Sequence, residues 1–320
     1  MIANFKCPKE IKRYDRTQNI TLKTGFYNID RTILGLDLGQ VSIVSGTNGS
    51  GKSTVLNQIA LNVIMQGYGV GIFSGEMTDW RLMNWLYMQC AGRDNVSVGN
   101  DKDGNNFYYV KDNIKDEIDT WLDEKLFIYD NDSGTSIEDI GKNVQDLLLN
   151  KRNVKLIIID NLMSMDIQKS GYDKYEAQKQ VILKLTRLAK MLNVHIVFVC
   201  HPTKVKDFIR KEDISGSSDL ANAVDNIFLV HRVTQDFKKR SMEFFGWSDS
   251  HPIYSYDNVI EIAKNRELGS IEKLVGLFFE VETKRFLNTK DEYKHYGWET
   301  MHQQATILSP IDEKEIEGIF

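Results

Sequence analysis

The chain has 320 residues, of which 42% are hydrophobic and 27% are charged, so it can bury the core of one large domain or of two small ones. Its net charge of −5 excludes a protein that is basic throughout, and any contact with DNA or RNA has to be local. The sequence contains no run of the roughly 20 apolar residues that a membrane span needs. Three widely separated cysteines form no paired framework. We therefore expect a cytoplasmic protein in a reducing compartment, with no membrane partner.

Short runs rich in β-branched residues alternate with amphipathic helical patterns between residues 41 and 231. This alternation predicts an α/β fold in which a mainly parallel sheet is flanked by helices. In chain order, the candidate strands are VSIVS, VGIFS, LFIYD, KLIIID, VHIVFVC and NIFLVHR. From about residue 258, one strand pattern follows another, which predicts an antiparallel C-terminal extension of the same sheet.

Two segments interrupt the alternation and are predicted to be insertions. Residues 92–125 open with a polar, Gly/Asn/Asp-rich stretch and then become helix-like, which indicates a surface excursion. Residues 233–257 are aromatic and loop-like, and their pattern is compatible with a partner surface or with a packed loop. The predicted organisation is an N-terminal arm or linker remnant over 1–21, one α/β domain over 22–305 that contains both insertions, and a C-terminal tail over 306–320.

The segment SGTNGSGKST follows a predicted strand and opens a predicted helix, and it matches the phosphate-loop pattern Gly-x-x-x-x-Gly-Lys-Ser/Thr. In such a loop, backbone N–H groups and the helix N-terminus hold phosphates, the lysine reaches the β- and γ-phosphates, and the hydroxyl binds Mg²⁺. The sequence therefore predicts a site for ATP, or another nucleoside triphosphate, with Mg²⁺. The predicted nucleotide-binding residues here are Gly46, Asn48, Gly49, Gly51, Lys52, Ser53 and Thr54.

Three polar residues that follow predicted strands would meet the same edge of the sheet. Asp160 ends KLIIID, where a carboxylate can hold Mg²⁺ together with Ser53. Glu76 in FSGEM can activate a water molecule, or it can be a solvated side chain at a helix start. His201 in CHPTK can bind the γ-phosphate, or it can satisfy a backbone carbonyl.

A pair of cations, Lys264 and Arg266, lies in EIAKNRELGS at the end of an apolar run. Residues two apart on an extended chain point to the same face, so both cations would face one target or solvent. Phosphoryl transfer is one process that uses such cations, because charge accumulates on the γ-phosphate oxygens.

Taken in order, the motifs resemble the RecA-like motor domain of hexameric replicative helicases, the DnaB and Twinkle superfamily that includes phage primase–helicases. The resemblance rests on KTGFYNIDRTILGLDLGQ before the phosphate loop, FSGEM, IIIDNL, HPTK and ISGSSDLANAVDNIFLVHR, and it covers residues 22–287. It implies a RecA-like P-loop ATPase in which Glu76 is the catalytic base and His201 senses the γ-phosphate. It also implies that Lys264 and Arg266 project into the active site of a neighbouring subunit.

The same resemblance implies further contacts and partners. Arg232 and Phe279 fall where that family sandwiches the adenine base, although an aromatic residue on a strand is commonly part of the core. The loops implied to contact single-stranded DNA carry Lys169, Lys174, Lys204, Lys206, Arg210 and Lys211. The implied assembly is a homo-oligomer, a hexamer, working with a primase domain or a primase partner. Residues 1–21 are too short and polar for the linker helix that usually precedes this domain.

Two other functions are compatible with the phosphate loop. One is a RecA-like recombinase or regulatory ATPase, which assembles on nucleotide without unwinding DNA. The other is a nucleotide-gated loading scaffold, in which hydrolysis only resets the assembly. The HPTK motif and the Lys-x-Arg pair favour a ring-forming DNA helicase motor, and strand displacement distinguishes it from a scaffold.

Overall fold

The computed structural model describes residues 6–11, 13, 15, 17–133, 136–151, 153–161, 174–202, 208–214, 221–269 and 273–300. The predicted C-terminal tail, 306–320, and the predicted domain end at 305 lie outside the described residues. Within the described ranges, no helix is both long enough and apolar enough to cross a membrane.

The strand candidates of the sequence all form strands. In chain order the strands are β1 Thr21–Leu22, β2 Leu36–Asp37, β3 Val41–Ser45, β4 Gly69–Ser74, β5 Val96–Asn100, β6 Asn106–Val110, β7 Leu126–Ile128, β8 Val154–Asp160, β9 His195–Cys200, β10 Asn226–Arg232, β11 Asn258–Asn265, β12 Lys273–Glu280 and β13 Arg285–Leu287. The described helices are α1 Tyr27–Ile33, α2 Lys52–Met65, α3 Asp79–Ala91, α4 Asp112–Leu122, α5 Ile137–Asn150, α6 Lys174–Leu192 and α7 Gln235–Phe245.

The main sheet has nine strands in the order β13-β12-β11-β10-β3-β9-β8-β4-β7. Strands β10, β3, β9, β8, β4 and β7 pair in parallel. Strands β11, β12 and β13 extend the sheet with antiparallel pairing, which confirms the predicted C-terminal extension. All the parallel strands therefore end at one edge of the sheet, and that edge carries the phosphate loop.

Helices cover both faces of the parallel strands. Successive strand residues point to opposite faces, so each strand contributes side chains to two cores. In β8, Leu156 and Ile158 join the core under α2, α3 and α4. The alternate residues Ile157 and Ile159 join the core under α5 and α6. A strand that is buried on both faces is apolar throughout, which explains why KLIIID was recognisable in the sequence.

Residues 92–125 contain an element that was not predicted. The polar stretch forms the antiparallel hairpin β5–β6, and α4 follows it as expected. Asp101 and Gly104 form the turn, where Asp101 accepts hydrogen bonds from the backbone N–H groups of Asp103 and Asn105. Asx turns of this kind join strands efficiently, so the Asp/Asn/Gly-rich sequence marks a hairpin and not an irregular loop.

The loop-like prediction for 233–257 is wrong in part, because α7 lies within it. Thr234 caps this helix by accepting a hydrogen bond from the N–H of Phe237, and Gly246 ends it in the left-handed conformation. Aromatic side chains pack this segment onto the sheet in a cluster, hereafter the aromatic cluster, of Phe208, Phe237, Phe245, Trp247 and Tyr254. The segment therefore packs on the sheet, and Phe244 beside the aromatic cluster is 55% exposed.

Candidate nucleotide site

The loop between β3 and α2 is held in shape by the antiparallel strands beside it. Gly51 has a φ of +93°, and a Cβ atom at this position would lie 2.6 Å from the ring of Phe286. Asn258, at the start of β11, donates its Nδ2 to the carbonyl oxygen of Ser50 at 2.8 Å. Only glycine adopts this backbone conformation easily and leaves room for the Phe286 ring, which explains why the motif has glycine at position 51.

The two side chains at the start of α2 lie next to the end of β8. Lys52 is 8% exposed, and its Nζ donates to the carbonyl oxygens of Gly46 and Thr47, each at 3.0 Å. Ser53 Oγ donates to Asp160 Oδ2 at 2.6 Å. A hydroxyl and a carboxylate in contact offer two hard oxygen ligands, which is the donor chemistry that Mg²⁺ prefers.

Burial acts on the charges at this site. It lowers the pKa of Lys52, although the charges of Asp160 and Glu76 act in the opposite direction. Burial likewise raises the pKa of Asp160, against the hydrogen bond from Ser53. Bound phosphates would favour the charged form of Lys52, and a bound divalent cation would favour the charged form of Asp160. Both would therefore oppose the effect of burial.

Glu76 and His201 come together at the ends of β4 and β9. His201 Nε2 lies 3.1 Å from Glu76 Oε1, and their side chains are 24% and 55% exposed. Asn161, immediately after β8, donates its Nδ2 to Glu76 Oε1 and lies 2.8 Å from His201 Nε2. Asn161 was not predicted as a site residue. In the sequence IIIDNL, an asparagine that contacts the site looks the same as one that only forms a turn after the strand.

Glu76 and His201, together with the phosphate-loop residues, line one cavity of about 810 Å³ at the carboxyl edge of the parallel strands. Its wall includes Asn48, Gly49, Gly51, Lys52, Ser53, Thr54, Glu76, Asp160 and His201. Arg232, at the end of β10, and Phe279, on β12, line the same cavity. Phe279 is only partly buried, and its backbone N–H donates to Asp257 Oδ2 at 2.9 Å. All the predicted nucleotide-binding residues except Gly46 therefore line one space, and the carbonyl oxygen of Gly46 accepts a hydrogen bond from Lys52.

The insertion 233–257 contributes to the cavity wall, which sequence reasoning missed. Lys238 and Tyr254 line the cavity beside Arg232, and Lys238 Nζ lies 5.8 Å from the centre of the Tyr254 ring. Tyr254 is fixed by a hydrogen bond of 2.9 Å between its hydroxyl and Ser241 Oγ. The sequence could have indicated this contribution, because the insertion begins directly after Arg232, which was itself predicted to bind the nucleotide.

Lys264 and Arg266 lie far from this cavity, towards the opposite edge of the sheet. Lys264 Nζ donates to the carbonyl oxygens of Ala221 and Val224 at 2.6 and 2.8 Å, and Arg266 Nη1 pairs with Asp225 Oδ1 at 2.8 Å. Strand β10 separates Asp225 from the cavity by about 20 Å. The pair shares one face, as predicted, and it does not reach the nucleotide cavity of its own chain. Burial lowers the pKa of Lys264, and the neighbouring charge of Arg266 acts in the same direction.

Of the residues predicted to contact DNA, Lys169, Lys204 and Lys206 lie outside the described residues. Lys174 is the first residue of α6, and its side chain is likewise outside the described part. Lys211 lies in a short 3-10 helix, Lys211–Asp213, with its side chain 36% exposed.

Arg210 has a different environment from the one expected of a DNA contact. Its Nη1 lies 2.6 Å from Oε1 of Glu261, which is 0% exposed, while the Arg210 side chain is 13% exposed. The ring of Phe244 covers the guanidinium at 4.4 Å. His231 Nε2 lies 3.3 Å from the second oxygen of Glu261. Arg210 is therefore directed inward, because a buried carboxylate needs a cationic partner.

The model of the DnaB-like helicase C-terminal domain matches residues 21–288. The chain belongs to the DnaB-like helicase C-terminal domain family. Replicative DNA helicase DnaB of Helicobacter pylori strain 26695 is a DnaB-like relative with 22% identity over 275 residues, which cover 84% of this chain and 52% of that protein. A probable replicative DNA helicase of Guillardia theta is 21% identical over 234 residues, 71% of this chain and 38% of that protein.

Two solved structures share the fold. One is an ATPase domain with a TM-score of 0.66 and 17% identity, and the match covers 86% of this chain and 94% of that one. The other is a DnaB-like replicative helicase studied with primase, with a TM-score of 0.65 and 17% identity, covering 85% of this chain and 63% of that one. The predicted RecA-like fold is confirmed. The chain spans about half or less of the length of the two relatives named above, at 52% and 38%.

Proposed function

We propose that this chain is an ATP-hydrolysing motor of a ring-forming DNA helicase that moves along single-stranded DNA. The observation that carries the proposal is the convergence of five side chains from four strand ends in one cavity. They are Lys52, Ser53, Glu76, Asp160 and His201. A phosphate-binding lysine, oxygen ligands for Mg²⁺, a carboxylate base and an imidazole are the groups that phosphoryl transfer to water requires.

Each side chain has a role that follows from its place in the cavity. Lys52 binds the β- and γ-phosphates, since its ammonium lies at the base of the loop, beside the start of α2. Glu76 accepts a proton from the attacking water, because its carboxylate is half-exposed to the cavity. His201 contacts the γ-phosphate from the adjoining strand end. Ser53 and Asp160 would hold Mg²⁺, and the ion would supply positive charge to offset that of the phosphate oxygens.

Two further residues in the wall of the same cavity suit a nucleoside base. Arg232 presents a guanidinium that stacks on an aromatic face, and Phe279 presents such a face. Contacts of this kind recognise a flat heteroaromatic ring without identifying each of its edges, so ATP is the proposed substrate and related triphosphates compete for the same space.

The position of Lys264 and Arg266 supports a shared active site. Neither cation reaches the cavity of its own chain, yet both lie on one face at the edge of the sheet. A guanidinium supplied by a neighbouring subunit stabilises charge on the γ-phosphate and can raise the rate about 10³–10⁵-fold. We assign this role to Arg266, with Lys264 beside it. The functional unit is then a homo-oligomer, and we propose a hexamer.

The proposed DNA contacts lie on the segments that follow β8 and β9. Lys169, Lys174, Lys204, Lys206 and Lys211 would bind phosphates without regard to sequence, so binding should weaken with salt. Arg210 is not retained in this set because it pairs with Glu261. A primase domain or primase partner and a cytoplasmic location complete the proposal, and a structural neighbour that was studied with primase supports the former.

The test is hydrolysis of ATP by the whole chain, with and without single-stranded DNA, followed by strand displacement on a forked duplex. The motor predicts DNA-stimulated hydrolysis, strand displacement, and a loss of about a hundredfold or more in Lys52→Ala. Lys115→Ala, on α4, is the matched control and should hydrolyse ATP like the wild type. Hydrolysis that ignores DNA, without strand displacement, would leave a nucleotide-binding module or scaffold.

A further inference from the structure

Asn161 connects the two polar side chains at the hydrolytic end of the cavity. It follows β8 directly and is 2% exposed. Its Nδ2 donates to Glu76 Oε1 and lies 2.8 Å from His201 Nε2, while the latter two atoms are 3.1 Å apart. The three side chains come from the ends of β8, β4 and β9, so each depends on a different part of the sheet.

The chemistry of the amide determines how these contacts work together. A carboxamide nitrogen carries two hydrogens and can donate to the Glu76 carboxylate and to an imidazole nitrogen at the same time. The carboxylate fixes the orientation of the amide, because an amide oxygen in that place would face a negative charge. His201 Nε2 lies within hydrogen-bonding distance of both the amide nitrogen and the Glu76 carboxylate, so the three side chains are in mutual contact.

Glu76 needs such a partner because little else holds it. It follows the end of β4, its side chain is 55% exposed, and its described hydrogen-bond partners are Asn161 and His201. A glutamate side chain loses rotamer entropy when it is fixed. A general base works only within hydrogen-bonding reach of the water it activates.

We propose that Asn161 is a positioning residue that holds the carboxylate of Glu76 and ties its orientation to His201. The inference rests on the proposed function, since it concerns the same hydrolytic site. Asn161 is not among the described residues that line the cavity, so it acts through its two neighbours and not on the nucleotide. When His201 turns towards a γ-phosphate, the amide loses one contact and the remaining one directs Glu76.

Loss of the Asn161 amide should slow ATP hydrolysis without weakening nucleotide binding. Asn161→Ala should lower kcat by about ten- to a hundredfold, because a catalytic group displaced by about 1 Å can lose that much. KM for ATP and the affinity for a fluorescent ATP analogue should stay within about twofold of the wild type, because phosphate contacts are unchanged. Asn131→Ala is the matched control, since it removes an amide that binds the carbonyl of Ser74 at the end of β4 without touching Glu76. Its kcat should match the wild type.

Asn161→Asp distinguishes a donor from a space-filling side chain. The new side chain has nearly the same volume, but a carboxylate would repel Glu76, so kcat should fall at least as far as in Asn161→Ala.

Three results would overturn the inference. The first is a kcat within twofold of the wild type in an Asn161→Ala protein that binds the ATP analogue. The second is a smaller loss of kcat in Asn161→Asp than in Asn161→Ala, which is the pattern of a space-filling residue. The third is loss of analogue binding in both variants. Glu76→Ala, measured in parallel, separates this inference from the proposed function: if Glu76→Ala hydrolyses ATP normally, the proposed function itself fails.

Discussion

Replacing Arg210 should destabilise the protein and should not change its electrostatic attraction to DNA. Arg210 and Glu261 are in contact at 2.6 Å, with side-chain exposures of 13% and 0%. Arg210→Ala would leave a buried carboxylate whose other described side-chain contact is with His231 Nε2, at 3.3 Å. Removing one partner of a buried ion pair costs about 3–5 kcal/mol. Since His231 can supply part of the lost interaction, we expect a loss near the lower limit, about 3 kcal/mol.

Equilibrium unfolding in urea, followed by the fluorescence of the five tryptophans, measures this loss. In thermal unfolding it should appear as a fall of about 5–10 °C in Tm for a domain of this size. Lys211→Ala is the matched control, because this neighbouring cation is partly exposed and its replacement should change the unfolding free energy by about 0.5 kcal/mol or less.

The double variant Arg210→Met/Glu261→Met tests the reason for the loss. It removes both charges, so it should recover most of the stability. In contrast, Lys211→Ala should weaken binding to single-stranded DNA and reduce its dependence on salt. The reasoning is refuted if Arg210→Ala unfolds within about 1 kcal/mol of the wild type while its DNA binding loses salt dependence, since both results would place Arg210 on a phosphate.

Three further predictions concern other parts of the molecule. Burial lowers the pKa of His195 to about 4; the unfolded chain, with a pKa near 6.5, binds this proton more readily, so about 3 kcal/mol of stability should be lost as the pH falls from about 6.5 to about 4. Urea unfolding across that pH range should show this slope in the wild type and a flatter one in His195→Gln, and equal slopes would contradict the assignment. Gly51→Ala should lower nucleotide affinity by about tenfold or more in a titration, because the left-handed backbone and the nearby Phe286 ring oppose a Cβ atom; unchanged affinity would show that the loop relaxes freely. Arg232→Ala should raise KM for ATP about two- to thirtyfold with kcat retained, the size of a lost cation–π contact, and an unchanged KM would remove Arg232 from the base site.

The parallel part of the fold was predictable because its strands are buried on both faces. KLIIID and VHIVFVC carry few polar residues, and this composition leaves little choice of structure. The phosphate loop was equally accessible, since its motif is contiguous in sequence and Gly51 is required by local backbone geometry. The hairpin β5–β6 was missed because Val98, Phe107 and Tyr109 are exposed, so no burial pattern marks its strands.

Other features depend on contacts between distant segments. Thr234 caps the start of helix α7 and Gly246 follows its end, and both are helix-boundary signals in the sequence. They were overlooked because the surrounding segment is rich in aromatic residues and was interpreted as a loop. Arg210 appeared to belong to a charged loop, and only its pairing with Glu261 across the sheet shows otherwise. The position of Asn161 between Glu76 and His201 depends on the strand order and has no counterpart in local sequence.

The central claim is that hydrolysis occurs at a site shared between subunits, with Glu76 on one chain and Arg266 on the next. The most direct test measures ATP hydrolysis by Glu76→Ala, by Arg266→Ala, and by mixtures of the two variants over a range of concentrations. The account predicts that each variant alone is inactive and that the mixture regains activity, because some interfaces then combine an intact Glu76 with an intact Arg266. Normal hydrolysis by Arg266→Ala, independent of protein concentration, would contradict a shared site and would leave Arg266 as the partner of Asp225 alone.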